Sequence, residues 1–252
     1  MNTWLLFQTV ASPFSLFITF GCVWGLGLLA WRAPRRKPFH LWGGVAVLFF
    51  ALIGARLDYV LWHGGYYLSN WAEIPQMWLG GLGPVGGAVG AIIGFVSVSL
   101  IGKSSFLKLT DAYLPLLGAV ALSLGVASLF GGMGYGPLTD AWWGVVVQDE
   151  FGVLASRWPI HFLGGLISGG VLFTLVFLPT GWRWLSRPGQ RGSVGLLVFA
   201  LIQGAVSALR VDPGLFIWGL RWGTWAAMLF AAAGVVLLIL ELRYGHDEEN
   251  TP

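Results

Sequence analysis

Seven ionisable side chains interrupt or border long apolar runs. Arg56 and Asp58 lie in ALIGARLDYVLWHGG, Arg157 and His161 in SRWPIHFLGG, and Arg210, Asp212 and Arg221 in ALRVDPGLFIWGLRWG. Guanidinium groups match phosphate oxygens through paired hydrogen bonds, so arginines gathered at one membrane level suit an anionic headgroup. A phospholipid phosphate is the first candidate. Each of these groups has a plainer reading. Arg56 can snorkel to the headgroups, and a lone interfacial histidine is more often a satisfied polar group than a base. A structural ion-pair network, for instance Asp58 with Arg210 and Arg56 with Asp212, would tie the second apolar run to the last two. Arg56 and Asp58 are two residues apart, so on a helix they point to opposite sides and each needs its own partner.

The elements that must position these groups follow from composition. The 252 residues are 56% hydrophobic and 10% charged, against about 25% charged in a soluble domain. Mean hydropathy is +0.76. Several runs reach the roughly 20 apolar residues that cross a bilayer. The fold class expected is an all-α integral membrane protein of seven transmembrane helices, over 13–31, 39–62, 78–101, 112–133, 161–181, 193–209 and 222–242. Residues 1–243 form one membrane domain, and 244–252 a short polar tail. RAPRRKP (32–38), the 102–110 segment and the 182–192 segment carry most of the loop cations. The positive-inside rule then puts the N-terminus outside and the C-terminus in the cytoplasm. On that topology all seven ionisable groups belong to the outer half of the membrane.

In WLGGLGPVGGAVGAIIG the glycines recur at four-residue steps, which lets helices approach closely. Pro84 with its flanking glycines would make the start of the third span a broken or re-entrant segment. Most of the fifteen tryptophans fall near span ends, as an interfacial belt does. Cys22 is the only cysteine, so no internal disulfide or cysteine metal site can form. The run before it, with bulky Phe20, does not read as a cleaved leader. The net charge of +3 sits in loop clusters and gives no sign of nucleic acid. The last span holds no lysine for a retinal Schiff base. No line of ionisable residues crosses the membrane, which argues against a channel or transporter.

Five pieces, in order along nearly the whole chain, resemble the prolipoprotein diacylglyceryl transferase family. GARLDYVL is similar to its Gly-x-Arg-hydrophobic-Gly-Tyr-Val-Leu, and WLGGLGPVGG to its Trp-x-Gly-Gly-Leu-Ser-x-His-Gly-Gly. DAYLPLLG, RWPIHFLGG and LRVDPG resemble its later motifs. The resemblance implies a seven-span bacterial inner-membrane enzyme, without a cofactor or metal. It would move a diacylglyceryl group from phosphatidylglycerol in the outer leaflet to the cysteine of a lipoprotein precursor. It also implies phosphate binding by Arg56 and Arg210, with Tyr59, Trp78, Gly81, Gly86, Gly87, Arg157 and Asp212 in support.

The departures bear on the chemistry. Val85 stands where the family has the histidine before its Gly-Gly pair, so the best remaining base for the family reaction is His161, then Asp58. Val126 and Leu129 stand at an arginine and an asparagine of GVASLFGGMG, and Phe20 at a tyrosine. His63-Gly64-Gly65 lies in the preceding outer loop and reads as a decoy. Asp58 occupies a family glycine, where it could neutralise Arg210 or Arg221. These replacements leave two functions open: a divergent transferase with a rearranged site, or a non-catalytic relative that binds phospholipid or serves as a subunit of a larger membrane complex.

Overall fold

The structure, a computed structural model, describes residues 13–33, 36–77, 80–148, 151–179, 185 and 187–244. Among the described residues, seven helices are long and apolar enough to cross a membrane. They are α1 (Pro13–Arg32), α2 (Lys37–Trp62), α4 (Pro84–Ile101), α5 (Phe106–Gly131), α6 (Ile160–Phe177), α7 (Gln190–Leu209) and α8 (Trp222–Tyr244). A short helix, α3 (Gly64–Ser69), and a 3₁₀ turn (Trp71–Glu73) follow α2. At 1.5 Å per residue even the 18-residue spans reach about 27 Å, close to the apolar thickness of a bilayer. The chain is thus a multi-pass, all-α membrane protein with two small additions. One is the hairpin β1 (Val145–Gln148)–β2 (Leu154–Arg157), paired Val145 to Arg157 through Gln148 to Leu154. The other is the two-residue hairpin β3 (Phe216–Ile217)–β4 (Leu220–Arg221).

Glycine sets the closest helix contacts. Between α2 and α4 the backbones touch: a Cβ at Gly86 would land on the Gly54 carbonyl oxygen, and one at Gly90 on the Phe50 carbonyl. The stripe expected from sequence is therefore an α2–α4 seam. On the other side of the bundle, α5 meets α6 through Gly125 and Gly165, and α1 through Gly21 and Gly25. Helix α5 is the central element, with Leu114, Leu116, Ala119 and Ala121 all buried. One apolar cluster joins Leu29, Val98, Leu109, Tyr113 and Leu116, and a second joins Leu114, Leu172, Leu175, Val176 and Phe199.

Two span starts differ from the hydropathy reading by six residues. The third span becomes helical at Pro84, six residues after position 78. Gly80 and Gly81 before it have φ of +87° and +77°, outside helical geometry, and Gly83 is extended. Proline favours that extended residue in front of it and lacks the N–H that a first helical residue leaves unused. The fourth span starts at Phe106 rather than 112. Lys108 and Asp111 lower the hydropathy there, but Asp111 is needed inside the helix to reach α7.

Candidate functional site

Arg56 and Asp58 do diverge. Arg56 is 3% exposed, and four of its N–H groups go to carbonyls of the α2–α4 connection. Nε donates to Ile74 O (2.8 Å), Nη1 to Gly80 O (2.5 Å) and Gly81 O (3.1 Å), and Nη2 to Glu73 O (2.7 Å). The Tyr67 and Tyr59 rings lie 5.3 and 5.9 Å from its guanidinium carbon. A buried charge needs hydrogen-bonded partners, and Arg56 finds them in a loop with two glycines in the left-handed region. A Cβ at Gly81 would strike the Tyr59 ring, which itself stacks on His63 at 4.0 Å. Arg56 therefore holds the loop that leads into α4.

Asp58 faces the other way. Its Oδ2 accepts the Gly86 N–H at 2.8 Å, and the Trp222 indole N–H lies 3.0 Å from both carboxylate oxygens. Gly83, the N-cap of α4, offers no side chain, so Asp58 supplies the missing cap from α2. The negative charge also meets the positive end of the helix dipole. Neither Arg210 nor Arg221 is its partner, so the pairs Asp58–Arg210 and Arg56–Asp212 are replaced by other contacts. Beside Asp58 an apolar groove of about 590 Å³ runs between α2, α4 and the start of α8. Phe50, Leu57, Val85, Val89 and Ile93 line it. Val85 thus forms apolar groove wall where the family pattern has a histidine. Gly87 makes an ordinary contact with Ala55, at 3.4 Å from an added Cβ. Phe20 is 64% exposed on α1. Trp78 lies outside the described residues.

Of the other five ionisable groups, His161, Arg210, Asp212 and Arg221 come together. Arg210 meets Asp212 side-on, Nε to Oδ1 at 2.9 Å and Nη2 to Oδ2 at 2.6 Å. Arg221 Nη1 lies 3.6 Å from Asp212 Oδ1, and Nη2 donates to the Asp212 and Arg210 carbonyls at 2.7 and 3.2 Å. The Gly134 N–H donates to Asp212 Oδ2 at 3.1 Å. Burial pushes the Asp212 carboxyl up, but the Arg210 hydrogen bonds and charge, Gly134 and Arg221 outweigh it and hold the pKa below the usual aspartate value. The His161 backbone N–H donates to Gly134 O at 2.9 Å, and its imidazole packs against Gly134, whose own N–H reaches Asp212. The Arg157 guanidinium carbon sits 4.9 Å from the centre of the Tyr135 ring.

Two polar edges of this cluster have no hydrogen-bond partner among the described residues. One is Nη1 of Arg210, because the side-on pair engages only Nε and Nη2. The other is the buried Nδ1 of His161. An arginine held by a carboxylate, with an edge to spare, can receive a phosphate oxygen. A neutral imidazole nitrogen with no donor can accept a proton. Sequence reasoning found these residues but missed Tyr67, Tyr135 and Trp222, whose roles as ring and indole partners have no local motif. It also missed the Gly134 amide, since a backbone donor leaves no trace in residue type.

The chain matches the model of the prolipoprotein diacylglyceryl transferase family over residues 5–240. It is similar to the phosphatidylglycerol–prolipoprotein diacylglyceryl transferase of Methylobacillus flagellatus, at 29% identity over 89% of this chain and 92% of that protein. The enzymes of the same name from Bordetella avium and Streptococcus pneumoniae (strain Taiwan19F-14) are 30% and 28% identical. Those alignments span 76% and 94% of this chain, and 73% and 94% of the respective relatives. With seven membrane-length helices and a family match over most of its length, the chain belongs to the prolipoprotein diacylglyceryl transferase family.

Proposed function

We propose that the protein transfers the diacylglyceryl group of phosphatidylglycerol to the cysteine thiol of a lipoprotein precursor, at the end of the bundle that holds Arg210 and His161. The observation that carries this reading is the pair of unpartnered polar edges in one cluster, Arg210 Nη1 and His161 Nδ1. The thiol proton goes to His161. The thiolate forms a carbon–sulfur bond at the glycerol carbon, the carbon–oxygen bond to phosphate breaks, and glycerophosphate leaves with the electron pair. Arg210, positioned by Asp212, holds the leaving phosphate and stabilises its growing charge. Arg56 acts by shaping the loop before α4, and Asp58 by fixing α4 itself. The membrane domain spans 1–243 with its N-terminus outside, from the loop cations, so the site faces the outer leaflet of the bacterial inner membrane.

A non-catalytic, phospholipid-binding role is the second reading. It is favoured by Val85, which gives the apolar groove a wall where the family pattern has a histidine. One experiment separates the two: purified protein with phosphatidylglycerol and a lipobox peptide, followed by mass spectrometry of the peptide. The transferase reading expects a diacylglyceryl adduct, lost in His161→Asn and reduced at least 100-fold in Arg210→Gln. Absence of the adduct with phosphatidylglycerol still bound leaves the binding role standing and overturns catalysis.

A further inference from the structure

At the end of the bundle away from Arg56 and Arg210, a second pocket of about 310 Å³ opens between the last turn of α1, the first turns of α5 and the entry to α7. Arg32, Lys108, Arg187 and Arg191 line it against a single carboxylate, Asp111, over an apolar floor of Leu114, Val176 and Leu185. Two of the charged groups are built into the wall. Asp111 accepts the Gly189 and Gly192 N–H groups at 2.6 and 2.7 Å, and so caps α7 from α5. Arg191 donates to the carbonyls of Leu178 (2.9 Å), Pro179 (3.0 Å) and Leu185 (3.2 Å), gathering the end of α6 and the segment that follows. Arg32, Lys108 and Arg187 then bring three positive charges to a wall whose one carboxylate is already engaged by amides. Arg187 is 37% exposed, and its nearest acidic group is Glu241, at a loose 3.9 Å. Glu241 is 1% exposed, and neither of its oxygens accepts a hydrogen bond among the described residues.

We infer that this pocket binds the phosphate of an anionic phospholipid from the leaflet opposite the candidate active site. Cations grouped between transmembrane helices hold anionic headgroups in this way. The apolar floor suits the glycerol and first acyl carbons, which a free phosphate would leave uncovered. The same phosphate chemistry could be met by a soluble phosphate, and the test distinguishes the two. The bound lipid would bridge α1, α5 and the α6–α7 junction, and Arg187 would turn from Glu241 to the phosphate.

The test is thermal unfolding of the full chain in neutral detergent, titrated separately with phosphatidylglycerol, phosphatidylcholine and inorganic phosphate. Phosphatidylglycerol should raise the melting temperature and phosphatidylcholine should not. The double variant Arg32→Gln/Arg187→Gln should need roughly 30-fold more phosphatidylglycerol for the same shift, from the loss of two cations. Glu241→Gln, which removes the competing carboxylate, should need less. The weaker response of the double variant should persist in an Arg210→Gln background, where the phosphate contact at the other end of the bundle is removed, which separates the two sites. A variant-sensitive shift with inorganic phosphate as large as that with lipid would overturn the lipid assignment in favour of a soluble ligand. Equal responses of wild type and double variant to phosphatidylglycerol would overturn the site altogether.

Discussion

Asp58 caps a helix that is not its own: its Oδ2 accepts the Gly86 N–H at 2.8 Å, three residues into α4, while the Trp222 indole holds the same carboxylate from α8. One side chain thus closes the junction of three spans. Asp58→Ala leaves a buried amide and a buried indole without an acceptor, and should cost about 2 kcal/mol. Asp58→Asn keeps one acceptor oxygen and should lose about half of that. Denaturant unfolding in mixed micelles measures both. Equal stability of wild type and Asp58→Ala would mean that the cap contributes nothing.

Arg56 is a clamp on backbone, so the shape of its guanidinium matters more than its charge. A lysine cannot reach the carbonyls of Ile74, Glu73, Gly80 and Gly81 at once. In Arg56→Lys, hydrogen exchange over residues 73–83 should rise at least tenfold, while α5 and α6 stay protected. Transfer activity should fall through the loosened entry to α4. Rapid exchange confined to other loops would show that Arg56 does not hold this segment.

Much of this frame was legible beforehand. Seven runs of apolar residues announced seven spans, and the spacing of Arg56 and Asp58 required two separate partners. The partners themselves were hidden for physical reasons. Asp58 and Gly86 are 28 residues apart, and Asp111 and Gly189 are 78 apart. Capping across helices leaves none of the local signature that an N-cap residue gives. Carbonyls, the partners of Arg56 and Arg191, belong to every residue type. Asp111 was set outside its span because hydropathy counts a carboxylate as polar even where two amides neutralise it.

The Arg210–Asp212 pair gives the fold an acid limit. The Asp212 pKa lies below its ordinary value of 3.8 in the folded state. Folding therefore favours the ionised form. The stabilisation is fully present above the unfolded value near 4, and is lost as pH falls through the lowered folded value. Wild type should lose melting temperature more steeply below pH 4 than Asp212→Asn, whose curve should be flatter and lower at neutral pH. Parallel curves for the two proteins would show that Asp212 carries no such linkage.

The α2–α4 seam allows a steric test, because some glycines are packed against backbone and others face open space. A Cβ at Gly90 would meet the Phe50 carbonyl oxygen and, at 3.1 Å, the Ala51 Cα, neither of which can rotate away. The two helices would have to separate, pulling the Asp58 carboxylate from Gly86. Gly90→Ala should therefore destabilise by about 3 kcal/mol, at the upper end for overpacking. At Gly27 and Gly170 an added Cβ meets nothing within 4 Å, and both are helical. Alanine there removes the backbone-entropy penalty of glycine and should stabilise by up to about 1 kcal/mol. Comparing Gly90→Ala with Gly27→Ala by thermal unfolding in one detergent cancels helix propensity, which is the same in both. A loss in the first and a small gain in the second places the difference in the seam. Similar behaviour of the two would mean that α2 and α4 are not in backbone contact at Gly90.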